Sequence, residues 1–158
     1  MLDLTDEQSY KDYFQNVATS HVDITGFKFG DEEELAVAAK TGLDSMVLWA
    51  DRTRPVEMID NRSDNFLANR TSTIMVMGPD AEIYTDQHIL FKQTEAIVID
   101  IISKILMDFN DGYISTQFSK YKFGEGEVEL SSIRYRGCRL DLHWEAPIDL
   151  SFKVDNWS

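Results

Sequence analysis

From Gly137 onward the chain alternates without a break. Cys138, Leu140, Leu142 and Trp144 fall on one side of an extended backbone, and Arg139, Asp141, His143 and Glu145 fall on the other. A period of two predicts a strand with one face in a core and one in water. Pro147 has no N–H to give to a ladder, so the strand is predicted to stop or reach a sheet edge there. Upstream, the apolar positions Ile133 and Tyr135 are odd-numbered. Arg136-Gly137 therefore reads as a tight turn or a bulge that flips the register.

Three other stretches carry the helical period. Thr5 with Gln8 forms a capping-box pattern, and Tyr10, Tyr13, Phe14 and Val17 make one stripe of a helix from about Asp6 to Thr19. Asp31, with Glu34 three residues on, caps a shorter acidic helix over Glu32 to Lys40, which Gly42 would close. Pro79 and Asp80 open the longest helix, which runs to about Phe109 and ends at Asn110-Asp111-Gly112. Its stripe is Val98, Ile101, Ile102, Ile105 and Phe109, flanked by polar Asp100, Ser103, Lys104 and Asp108.

Short strands are predicted at Ile24 to Phe29, Met46 to Ala50, Val56 to Asp60 and Thr71 to Met77. The polar segment between the last two makes them a long hairpin with an exposed arm, over about 52–77. After the long helix come Ile114 to Phe123, a turn at Gly124-Glu125-Gly126, and Val128 to Tyr135. Successive strands without intervening helices imply antiparallel pairing. The fold class is α+β: an antiparallel sheet with a long-armed β-hairpin, packed on one face by an N-terminal helix and a long central helix. No repeat or linker divides residues 1–158, which read as a single domain.

Charge narrows the function classes. Twenty-eight acidic against 15 basic residues give a net charge of -13, which repels phosphate backbones and argues against tight nucleic-acid binding. Cys138 is the only cysteine, which suits a reducing compartment. The acidic N-terminus does not read as a signal peptide, and the longest apolar run, Ile97 to Ile102, is broken by Asp100 and too short for a bilayer. Synthesis in a cytoplasm without a membrane partner is the expectation.

Candidate chemistry is sparse. Asp141, His143 and Glu145 share a strand face with metal-ligand residue types, yet alternation alone produces such a face. Cys138 falls on the apolar register, where a thiol behaves as a small hydrophobe. His21 and His88 stand isolated, and no hydrolase, zinc-protease, phosphate-loop or dinucleotide motif occurs. No catalytic residue, metal or cofactor is expected. The predicted arm differs. Arg52, Arg54, Arg62 and Arg70 gather there in an acidic chain, with Phe66 and Leu67 at the tip. Arginines around an apolar pair form a candidate subunit interface, and the alternative is a loop tucked back onto its own domain by Phe66.

The order of elements resembles the tail-terminator and related neck proteins, the head–tail joining parts of tailed bacteriophages. The closing pattern Gly137-x-Arg139-x-Asp141-Leu142-x-Trp144-x-x-Pro147-Ile148-Asp149-Leu150 is similar to the final strand of several of them. The acidic helix over Glu32 to Lys40 departs from that pattern. The resemblance implies a non-enzymatic virion protein, assembled in the host cytoplasm, that forms a homo-oligomeric ring, commonly a hexamer. Such a ring ends the tail tube, contacts neighbouring tube and neck proteins, and lets DNA pass through its lumen without specific binding. The hairpin arm would reach the adjacent subunit. The rival expectation is a small cytosolic protein-binding or adaptor domain without a ring. An enzyme using Asp141, His143 and Glu145 ranks third.

Overall fold

The computed structural model describes residues 1–40, 45–60, 66–79, 87–130 and 133–148. Helices α1 (Glu7–Ser20), α2 (Glu32–Ala39) and α3 (Gln87–Asn110) accompany six strands. These are β1 (Gly26–Gly30), β2 (Val47–Asp51), β3 (Val56–Asp60), β4 (Phe66–Pro79), β5 (Lys120–Leu130) and β6 (Ile133–Ile148). They form one sheet in the order β1-β2-β4-β6-β5, with β3 paired to the far end of β4. The α+β class is the one the sequence predicts. One pair is parallel, β1 with β2, because α2 carries the chain back over the sheet as a crossover between them. That crossover is the acidic helix predicted over Glu32 to Lys40.

Strands β4 and β6 form the spine, paired without a slip from Phe66 with Ile148 to Pro79 with Tyr135. The unbroken register rules out both a turn and a bulge at Arg136-Gly137. The apolar positions change parity because the sheet is covered on both faces at this end. Helices α1 and α3 cover one face, where Leu48, Ile74, Val76, Cys138, Leu140 and Leu142 are buried. Helix α2 lies on the other, where Leu35 and Ala39 meet Val47, Trp49, Met75 and Tyr135. Each Leu, Ile, Val or Met side chain among these contributes about 1.5–3 kcal/mol on burial.

The glycines of the spine answer to this packing. A Cβ on Gly137 would run into the Val76 carbonyl and the Met77 Cα of β4, so any side chain there forces the strands apart. Across the sheet, Gly126 pairs with Gly137, and a Cβ on Gly126 would lie 3.1 Å from Met75 Cε. Gly124-Glu125-Gly126 is therefore not the predicted turn but the middle of β5, which runs on to Leu130.

Several element ends also differ from expectation. Asp6, not Thr5, caps α1 by accepting from Ser9 N, while Thr5 Oγ1 donates to Asp3 at 2.7 Å. The predicted box at Asp31 is formed, with Glu34 N donating to Asp31 Oδ1 at 2.8 Å and Asp31 N donating to Glu34 Oε2 at 3.0 Å. The residue before that box, Gly30, sits at φ 145°, where its carbonyl accepts from Trp49 Nε1 at 3.0 Å. Pro79 ends β4 rather than opening α3, and Asp80 and Gly42 lie outside the described residues. Helix α3 closes as predicted, at Gly112 with φ 72°. Pro147 pairs with Leu67, beyond the end of β5, so β6 is locally an edge strand and tolerates the missing N–H. No described helix is long and apolar enough to cross a membrane.

Candidate interaction surface

Of the six residues singled out on the hairpin, Arg52, Arg54, Leu67 and Arg70 have described side chains. Arg52 turns back onto its own domain, with Nη1 2.8 Å from Glu34 Oε1 and Nε 3.6 Å from Glu7 Oε1. Its guanidinium also lies 5.4 Å from the centre of the Phe29 ring. Arg54 does likewise. It donates to the Thr5 carbonyl at 3.1 Å and sits 5.4 Å above the ring of Tyr10, whose hydroxyl burial pushes up from its ordinary range. Both cations thus tie the β2–β3 connection to α1 and α2. A guanidinium on an aromatic face contributes roughly 0.5–1 kcal/mol at such partly exposed sites.

Arg70 and Leu67 are half-buried in β4, a strand hydrogen-bonded on both sides here. Arg70 stands between Val56 of β3 and Trp144 of β6, and Leu67 between Ile59 and Pro147. Phe66 is the first residue of β4, opposite Asp60 and Ile148; its side chain, like the whole of Arg62, lies outside the described residues. Residues 66–70 are therefore part of the sheet rather than a projecting arm. The hairpin itself is present, as β3 and β4.

The strand face with Asp141 and His143 is committed to the sheet. Thr73 Oγ1 donates to Asp141 Oδ1 at 2.7 Å, and Arg139 Nε approaches the same oxygen at 3.1 Å. Thr71 Oγ1 lies 3.1 Å from His143 Nδ1. These threonines stand directly across the ladder, so the contacts are cross-strand pairs. Among the described residues, no three His, Cys, Asp or Glu side chains are grouped as metal ligands would be. Cys138 is fully buried, and desolvation together with Glu95 pushes its thiol up to about 11.

A groove of about 570 Å³ runs between the N-terminal segment and the end of β6, lined by Asp3, Thr116, Ser119, Trp144 and Glu145 among others. Its hydroxyls are occupied. Thr116 Oγ1 accepts from Leu4 N at 2.8 Å, and Ser119 Oγ donates to the His143 carbonyl at 3.2 Å. Asp3 accepts from the Thr5 hydroxyl and amide, which hold its carboxyl below the usual range.

The surface that sequence reasoning missed is the set of strands paired on one side only. Among the described residues, β5 is paired only with β6, β3 only with β4 and β1 only with β2, and of these β3 and β5 expose apolar side chains. Phe123 of β5 is 43% exposed, and Val56 and Met58 of β3 are 46% and 56% exposed. Their signal was alternation weakened by glycines in β5 and by brevity in β3.

No protein-family model matches this chain, and no curated protein matches it.

Proposed function

We propose that this chain is a non-enzymatic subunit of a ring in the virion of a tailed phage, ending the tail tube and joining it to the head or neck. The observation that carries the reading is the order of elements. An N-terminal helix, a strand leading into a hairpin, a long helix and closing antiparallel strands follow one another as in the proteins the sequence resembles. Two features support it further. Among the described residues the sheet has a strand paired on one side only at each side, which gives a subunit two different surfaces for two neighbours. The net charge of -13 suits a lumen wall that passes DNA without retaining it. The non-enzymatic part rests on spent chemistry: the thiol is buried, and Asp141 and His143 are held by threonines.

The inward-turned Arg52 and Arg54 favour the second reading, a small adaptor domain that stays monomeric, since those cations are already matched within the chain. Sedimentation over a range of concentrations, with negative-stain imaging, separates the two. Closed rings with a central hole are expected, and they should loosen as salt rises. A chain that stays at 18.2 kDa at every concentration sinks the ring.

A further inference from the structure

Strands β3 and β5 lie at opposite edges of the same sheet, and what each presents matches the other. By register, Val56 and Met58 point to the sheet face covered by α1 and α3, as does Ala68 opposite Met58. Tyr121 and Phe123 of β5 point to that same face, opposite Leu142 and Leu140. On the other face β3 carries Glu57, while β5 carries Lys120 and Lys122, and all three are exposed. Apolar residues thus share one face in both strands, and opposite charges share the other.

We propose that the β3 edge of one copy pairs antiparallel with the β5 edge of the next. A single register sets Val56 beside Phe123, Glu57 beside Lys122 and Met58 beside Tyr121. Side chains opposed in an antiparallel ladder point to the same face, so all three pairs meet at once. The direction follows from the topology. Strand β3 is antiparallel to β4, β4 to β6 and β6 to β5, so β3 and β5 run in opposite directions within one copy. A neighbour whose apolar sheet face continues that of the first copy therefore presents its β3 antiparallel to β5, whereas parallel pairing would turn Val56 and Met58 to the opposite face from Tyr121 and Phe123.

The contact buries two otherwise open edges and covers Phe123, Val56 and Met58. It uses different surfaces on the two copies, so it is head-to-tail and generates a ring when the rotation closes. The inference deepens the ring reading and rests on it for self-association, but it needs no phage partner.

Charge reversal tests it. At a concentration where the wild-type chain sediments above monomer mass, Glu57→Lys and Lys122→Glu should each weaken association about tenfold or more, with thermal melting unchanged. A chain carrying both reversals should regain assembly, because opposite charges then face each other again across the contact. A chain with Val56→Cys and Phe123→Cys should give a ladder of covalent multimers on oxidation, and one with Val56→Cys and Glu127→Cys should not. Assembly that ignores the single reversals, or a double reversal that stays dissociated, overturns the pairing and leaves the ring reading standing. A wild-type chain that never leaves monomer mass removes both.

Discussion

Tyr13 Oη donates a hydrogen bond to Asp108 Oδ2 at 2.8 Å, closing a contact between α1 and α3 across 95 residues of sequence. Lys104 Nζ binds the other carboxylate oxygen at 2.6 Å, so a residue only 4% exposed is held by one hydroxyl and one ammonium. Removing the hydroxyl with Tyr13→Phe leaves part of that buried charge unmatched. The variant should lose about 1.5–3 kcal/mol, the range for a hydrogen bond to a charged group, in denaturant melts. An unchanged midpoint would show that water replaces the hydroxyl freely.

The same burial sets an alkaline limit. Desolvation raises the Tyr10 and Tyr13 hydroxyls above their ordinary value of 10.0, and Asp108 adds to the rise at Tyr13. A raised folded value means that the neutral form is favoured in the native state. Stability is therefore fully present below about pH 10 and falls as pH rises above it, where only the unfolded chain releases these protons. Melting temperature followed from about pH 8 to about pH 12 should drop beyond about pH 10, and the drop should be shallower in Tyr13→Phe. A flat profile contradicts the buried hydroxyls.

Trp144 is 2% exposed, with its ring edge-on to Phe118 at 5.7 Å. Trp144→Ala should cost roughly 3–5 kcal/mol. Among the described residues the indole Nε1 has no hydrogen-bond partner, so Trp144→Phe should cost clearly less than alanine, losing volume but no polar contact. Equal losses in the two variants would mean that the N–H is bonded in solution.

Gly137→Ala tests the close approach of β6 to β4. The added methyl meets backbone rather than a movable side chain, so the strands must separate. A loss of about 1–3 kcal/mol is expected, as for overpacking elsewhere. Gly124→Ala, where a methyl meets nothing within 4 Å, is the matched control and should change little. Similar melts for both variants would remove the steric account.

Cys138 should be inert in the native protein. Its thiol is pushed up to about 11 and is wholly covered, so reaction with an aromatic disulfide reagent at about pH 8 should wait for unfolding. Labelling within seconds under native conditions would place the sulfur outside the core.

Short-range signals along the chain were enough for the local pieces. The stripe Tyr10, Tyr13, Phe14, Val17 made α1, Asp31 with Glu34 made the start of α2, and the alternation from Cys138 to Trp144 made the strand that α1 and α3 cover. Each depends on neighbours within a turn or a pleat, where spacing alone dictates which side is apolar. Which faces are covered, and by what, came from packing between distant segments. Tyr135 looked out of register only because one-sided burial was assumed; α2, remote in sequence, covers the second face. Gly126 looked like a turn because its reason, the packing of Met75 and Arg139 against it, comes from other strands. Asp108 read only as a polar flank of the long helix's stripe, because its partner Tyr13 lies on another helix. The same holds for the candidate site. Composition pointed to the arginines of the hairpin, but whether a cation faces a neighbour or its own domain depends on where Glu34, Phe29 and Tyr10 come to rest, and that is a property of packing.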